Sequence, residues 1–109
     1  MADVNFGTPI ARSVHKTTTT TAADAITLPA GYGNMVRVTN RSLAAATAAT
    51  LLYVVRPQSG TAPSAAAALA NGTIVVMPGQ FRDFPIVGTD ANYMSVVSTA
   101  ATDYSLEIM

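Results

Sequence analysis

The hexapeptide Asp103-Tyr104-Ser105-Leu106-Glu107-Ile108 decides the fold class. Tyr104, Leu106 and Ile108 alternate with Asp103, Ser105 and Glu107. Successive side chains of an extended strand point to opposite faces, so the first set faces a core and the second faces water. Working outward, Tyr93 to Ser98 is the strand before it. Gln80 to Ile86 places Phe84 and Ile86 on one side, and Met35 to Thr39 sets Val36 and Val38 against Arg37. Ala25-Ile26-Thr27-Leu28 alternates and is stopped by Pro29. Leu51 to Val55 is apolar on both faces, which predicts a central strand ended by Arg56-Pro57; Thr73 to Met77 is doubly apolar as well.

Turn residues separate these runs. Gly31-Tyr32-Gly33, the loop of Pro57, Gly60 and Pro63, Asn71-Gly72, Pro78-Gly79 and the polar stretch Gly88 to Asn92 fall between strands. With the run Thr17 to Thr21, whose β-branched side chains favour extended backbone in an exposed edge strand or linker, the count reaches about eight short strands. The expected fold is all-β: an antiparallel, jelly-roll-like β-sandwich with an extended N-terminal arm. Residues 1–24 are expected to form the arm and the Thr-rich edge segment, and residues 25–109 the sandwich. Residues 1–11 contain Gly7 and Pro9 with little periodicity. Their deletion is expected to leave the sandwich folded and to weaken attachment to a neighbour. Two Ala-rich segments, Leu43 to Ala49 and Ser64 to Ala70, read equally as one helical turn each or as low-complexity surface loop.

The chain has 109 residues, which is one domain. A domain of this size buries roughly two-thirds of its unfolded surface and holds a core without metals or disulfides. The net charge is zero and 11% of residues are charged, which argues against a nucleic-acid binder and against disorder. A surface so poor in charge points to coverage by a partner. No Cys is present, so disulfides and thiolate metal sites are excluded. Met1 to Phe6 does not read as a signal peptide, and no apolar run approaches the ~20 residues of a membrane helix. Synthesis in a cytoplasm is the expectation.

No catalytic, cofactor or metal residue is assigned. His15 is the only histidine, beside Lys16, and reads as a solvated strand residue; a catalytic triad would need it, and zinc would need more ligands. The carboxylates Asp3, Asp24, Asp83, Asp90, Asp103 and Glu107 are not paired in sequence as glycoside hydrolysis requires. Gly88 to Asn92 lacks the ligand density of a calcium loop and reads as a turn in which Asp90 and Asn92 bond their own backbone. Gly31-Tyr32-Gly33 lacks the further residues of a phosphate loop. Asn40-Arg41-Ser42 and Asn71-Gly72-Thr73 match the glycosylation acceptor formally, without the secretory context it needs. Arg37, Arg41, Arg56 and Arg82 read as outward-facing strand residues, with a carboxylate-bearing partner as the sharper alternative. Among Tyr32, Tyr53, Tyr93 and Tyr104, Tyr53 and Tyr104 are expected in the core, and the set as a stacking platform is the alternative.

The stretches Val36-Arg37-Val38-Thr39-Asn40, Leu52-Tyr53-Val54-Val55-Arg56, Val76-Met77-Pro78-Gly79-Gln80 and Asn92-Tyr93-Met94-Ser95-Val96-Val97 carry a resemblance. A strand ending in Asn precedes a strand centred on Tyr-Val, and a Pro-Gly turn leads to the closing strands. Over residues 34–109 the pattern resembles small β-sandwich virion proteins of tailed bacteriophages, most closely capsid decoration (cement) proteins. The resemblance implies a structural, non-enzymatic role on the capsid exterior, after synthesis in the host cytoplasm. It implies binding to the major capsid protein lattice, as a homo-oligomer with a trimer favoured, with no cofactor, nucleic acid or membrane. A tail, fibre or baseplate β-module binding a receptor or carbohydrate is the alternative. No site residue is carried over, because the pattern contains no functional motif.

Overall fold

A computed structural model describes residues 3–7, 12–18, 23–43, 45, 50–59 and 73–109, and these form nine strands and no helix. The strands are β1 (Asp3–Val4), β2 (Ser13–Thr17), β3 (Asp24–Leu28), β4 (Met35–Asn40), β5 (Leu52–Ser59), β6 (Thr73–Val76), β7 (Phe81–Pro85), β8 (Asn92–Val97) and β9 (Asp103–Ile108). One sheet has the order β1-β3-β8-β5-β6 and the other β2-β9-β4-β7. The antiparallel pairs β2/β9, β3/β8, β4/β7 and β5/β6 are nested, as in one long hairpin rolled into two layers. That is the strand order of a jelly roll. Burying the apolar faces of both layers against each other closes it.

The core between the layers is built from alternate residues. Ile26, Leu28, Leu52, Val54, Val76, Met94 and Val96 come from one sheet, and Val36, Val38, Phe84, Tyr104, Leu106 and Ile108 from the other. The alternation expected for Asp103 to Ile108 holds residue by residue. Tyr53 and Tyr104 are both buried, but on different sides of the fold. Tyr104 lies between the sheets, whereas Tyr53 joins Ala23 and Val97 in a second cluster on the opposite face of the five-stranded sheet.

Four expectations change. Residues 3–7 are extended, yet they lie inside the sandwich rather than beyond it. Asp3 and Val4 pair in parallel with Ala25 and Ile26, and Val4 and Phe6 are buried in the main core. Only two apolar residues in a short polar context carry this packing, too few to register as periodicity. The second change concerns Thr73 to Met77, which forms an edge strand with Val75 and Met77 exposed. β-branched content marks a strand without fixing its place in the sheet. Third, β5 continues past Arg56-Pro57 to Ser59. Val55 opposes Ser95 and Gln58 opposes Tyr93, so three steps on β5 match two on β8. This is a β-bulge, one of the few places where a strand tolerates Pro. Fourth, the Thr run is not exposed throughout. Thr18 is buried, accepts from the Thr102 N–H at 3.0 Å and donates to the Ala100 carbonyl at 3.2 Å. Residues 8–11, 19–22 and 60–72 and most of 43–49 lie outside the described residues, and with them Asn71-Gly72 and both Ala-rich segments.

Two turns position the strands that matter below. Met77-Pro78-Gly79-Gln80 closes with Gln80 N to Met77 O at 3.0 Å, and Gly79 has φ 74°. Pro then Gly with positive φ at the second central position makes a type II turn. It carries the chain from the edge of one sheet (β6) to the edge of the other (β7), so both edges share one side of the sandwich. At the other end, a Cβ on Gly33 would lie 2.6 Å from Met109 O, so only glycine lets this loop pass the end of β9.

Candidate functional site

The side bounded by β6 and β7 opens between the edges of the two sheets. A groove of about 270 Å³ opens there, with Ile74 and Phe84 as apolar lining and Arg56, Pro57 and Arg82 around them. The bulge explains Arg56 and Pro57. Val55 and Gln58 keep the outward orientation of their partners Ser95 and Tyr93, so the extra residue leaves both Arg56 and Pro57 on the side of Val54. Arg82 reaches the groove from the facing sheet, because it pairs with inward-facing Val38. β7 is guarded as an edge strand by Arg82, Asp83 and Pro85, whereas β6 carries only Thr73, Ile74, Val75 and Val76. Val75, Met77, Phe81 and Val87 are four of the seven large apolar side chains exposed among the described residues. All four lie on these strands or directly after them.

The outer face of the four-stranded sheet carries Arg37, Asp83, Asp103 and Glu107. Arg37 Nε and Nη2 donate to Asp83 Oδ1 and Oδ2 at 2.8 and 3.1 Å, and the guanidinium stacks on the Phe81 ring at 3.9 Å. The hydrogen bond from Arg37 holds the Asp83 carboxyl below its ordinary range. Both groups are partly exposed, so the pair adds little stability. On the same face His15 Nδ1 lies 2.8 Å from Ser105 Oγ, and Thr17 donates to Asp103 at 2.5 Å. His15 is exposed on β2, as expected. Among the described residues, no three His, Cys or carboxylate side chains group as metal ligands.

A second, more open hollow of about 510 Å³ lies at the end of the sandwich, lined by Arg12, Tyr32, Asn34, Ile86, Thr89 and Met109 among others. Tyr32 is exposed at its rim, and Arg12 donates to the Tyr32 carbonyl. Tyr93 is half-buried on the outer face of the five-stranded sheet. The four tyrosines therefore do not assemble into one platform.

The loop before β8 is organised by Asn92. It is fully buried, donates to the carbonyls of Val87 at 2.8 Å and Asp90 at 3.1 Å, and accepts from Val87 N–H at 2.9 Å. Asn92 thus does the turn-bonding expected of it, while Asp90 contributes its carbonyl.

One ionisable pair is buried between the sheets. Tyr104 Oη donates to Asp24 Oδ2 at 2.6 Å, and Asp24 Oδ1 is the one buried side-chain oxygen without a partner among the described residues. Burial raises the Asp24 carboxyl above its ordinary value, partly offset by the Tyr104 hydrogen bond and by Lys16. Burial and then the Asp24 bond push the Tyr104 phenol up. A carboxyl whose pKa is raised on folding contributes stability that is fully present below its unfolded value of about 3.9 and lost as pH rises through the folded value. Asp24→Asn is therefore expected to lose less stability than the native chain as pH rises from about 4. Thermal denaturation at acid and at neutral pH checks this, and equal slopes for both proteins would count against it.

Compared with known proteins, the chain matches no family model, no curated protein and no solved structure at a significant level.

Proposed function

We propose that this chain is a structural virion protein of a tailed bacteriophage that decorates and stabilises the capsid by binding the major capsid protein lattice. The observation that carries the reading is the jelly-roll order of the two sheets, an architecture used by viral capsid and lectin domains. Fold alone is analogy, so the surface matters too. It is low in charge and gathers exposed apolar residues on the β6–β7 side. Such a surface works by burial against a neighbour rather than by chemistry. In this reading the protein acts without cofactor or catalysis, as a homo-oligomer, with a trimer suited to a threefold lattice site. The test is to strip heads of the protein and add the purified chain back. Rebinding with increased resistance of the heads to heat is expected. A chain that stays soluble beside its own stripped capsids overturns the proposal.

One observation favours a second reading, a carbohydrate-binding tail or fibre module. Tyr32 is exposed beside a hollow that also presents Asn34 and Thr89. An aromatic face with nearby hydrogen-bonding groups suits a sugar ring. Glycan-array binding that is lost in Tyr32→Ala supports this reading, and silence of the native chain on the array counts against it.

A further inference from the structure

We propose that the groove between β6 and β7 receives an extended peptide segment of a partner protein that carries carboxylates beside apolar side chains. The proposal rests on the reading of this chain as an assembly component and names the surface that component uses.

Charge complementarity carries the choice of occupant. Arg56 comes from one sheet, re-aimed by the bulge, and Arg82 from the other, and both line the same groove. Neither forms an ion pair among the described residues, where the single salt bridge is Arg37 to Asp83. Asp83 is the carboxylate nearest in the lining, and both its oxygens are already held by Arg37. An incoming carboxylate supplies the counter-charge that these two guanidinium groups lack and fits the planar donor fork of arginine.

The apolar surroundings decide between a free anion and a peptide. Ile74, Phe84, Pro85 and Val87 line the groove, and Val87 is exposed at its rim. An inorganic anion would use the arginines and leave this surface in water. An extended segment uses both, because alternate side chains reach the groove and its rim while its backbone runs beside an edge strand. A second copy of this chain does not offer such a segment. Asp103 and Glu107 lie on β9, which is paired on both sides, Asp3 is paired into its sheet, Asp24 is buried, Asp83 is held by Arg37, and Asp90 lies in a tight loop that Asn92 closes on itself.

The test titrates the isotopically labelled full chain with a synthetic peptide of alternating Glu and Val, and with its Lys–Val counterpart of equal length, by NMR. Chemical-shift changes are expected at residues 56–57 and 74–87, with affinity for the Glu–Val peptide greater by about tenfold or more. Arg56→Glu combined with Arg82→Glu is expected to lose the response while keeping the native melting temperature. Arg56→Gln with Arg82→Gln, which adds no charge, is expected to weaken it in the same way and serves if the reversal unfolds the chain. Equal response to both peptides, shifts centred elsewhere, or an unchanged response in the Gln variant overturns the proposal. Add-back to stripped heads separates the two readings. Heads that take up native and charge-reversed chains equally overturn the groove and leave the capsid reading standing. A native chain that ignores heads but binds the Glu–Val peptide supports the groove and overturns the capsid reading. Self-association abolished by the charge reversal overturns the choice of a different chain as occupant.

Discussion

Replacing Phe6 by Ala is expected to lower the free energy of unfolding by about 3–5 kcal/mol. Phe6 is 4% exposed and packs into the main core from a stretch that composition marks as peripheral. Removing the ring leaves a cavity that the surrounding strands, already paired in sheets, fill only in part. Val4, two residues earlier and 2% exposed, adds a second side chain to the same layer. Deleting residues 1–7 therefore takes away two core residues and the strand β1, which covers the edge of β3. Against a total of ~5–15 kcal/mol for a domain, the truncated chain is expected to melt far below the native chain or to remain unfolded. This reverses the expectation of a dispensable arm. Chemical denaturation of Phe6→Ala, with circular dichroism of the truncation, checks it. A truncated chain with native stability would show that the buried positions of Val4 and Phe6 contribute nothing.

Asn40 is the second position where a large effect is expected, and here the cause is polar. Its side chain is fully buried at the end of β4. Nδ2 donates to the carbonyls of Thr50 at 2.8 Å and Val76 at 3.0 Å, while Oδ1 accepts from Ser42 N–H at 3.0 Å. The Val76 bond ties the four-stranded sheet to β6 of the other sheet, beside the turn that carries the chain across. Asn40→Ala leaves three backbone groups without this partner. At about 1–3 kcal/mol for each buried group left unsatisfied, a loss of about 3 kcal/mol is expected. Asn40→Asp keeps the volume and separates the polar effect from the cavity. It sets a carboxylate oxygen against two carbonyls, so it is expected to destabilise at neutral pH and to recover part of the loss in acid, where the carboxyl is protonated and donates again. Urea titrations at two pH values measure both variants. If Asn40→Asp matched the native chain at neutral pH, the two carbonyl contacts would carry no weight.

These two positions mark where reading along the chain stops. The alternation in β9 and in β4 is a local signal, because the period of two is a property of extended backbone whatever its neighbours. Alternation located four strands and short apolar runs between turns three more, and together they assigned much of the core, including Tyr104, Leu106, Ile108, Val36 and Val38. The strong turn Pro78-Gly79 was legible for the same reason, since both residues constrain only their own φ. By contrast, Phe6 and Asn40 carry no local sign of their roles. One lone aromatic acts by packing in a core assembled from the whole fold, and one strand-end amide ties its sheet to Val76, 36 positions on.

The candidate site divides in the same way. Arg56 and Arg82 were visible as strand cations, and Pro57 as a punctuation mark. Their convergence was not visible, because it depends on a bulge in β5 and on β6 and β7 lying at the edges of different sheets. Pro57 within an otherwise extended run was the available signal, since a strand that contains Pro is an edge or a bulge. The amino-acid sequence alone determined that this protein is all-β, with alternating strands, tight turns, little charge and no cysteine. Those properties follow from side-chain period, backbone restriction and composition, each a matter of neighbouring residues. The tertiary structure decided that Val4 and Phe6 belong to the core, that Thr73–Val76 is an exposed edge, and that two arginines 26 positions apart face one groove. Sheet order and register bring those residues together, and they arise from which faces can be buried against each other across the whole chain.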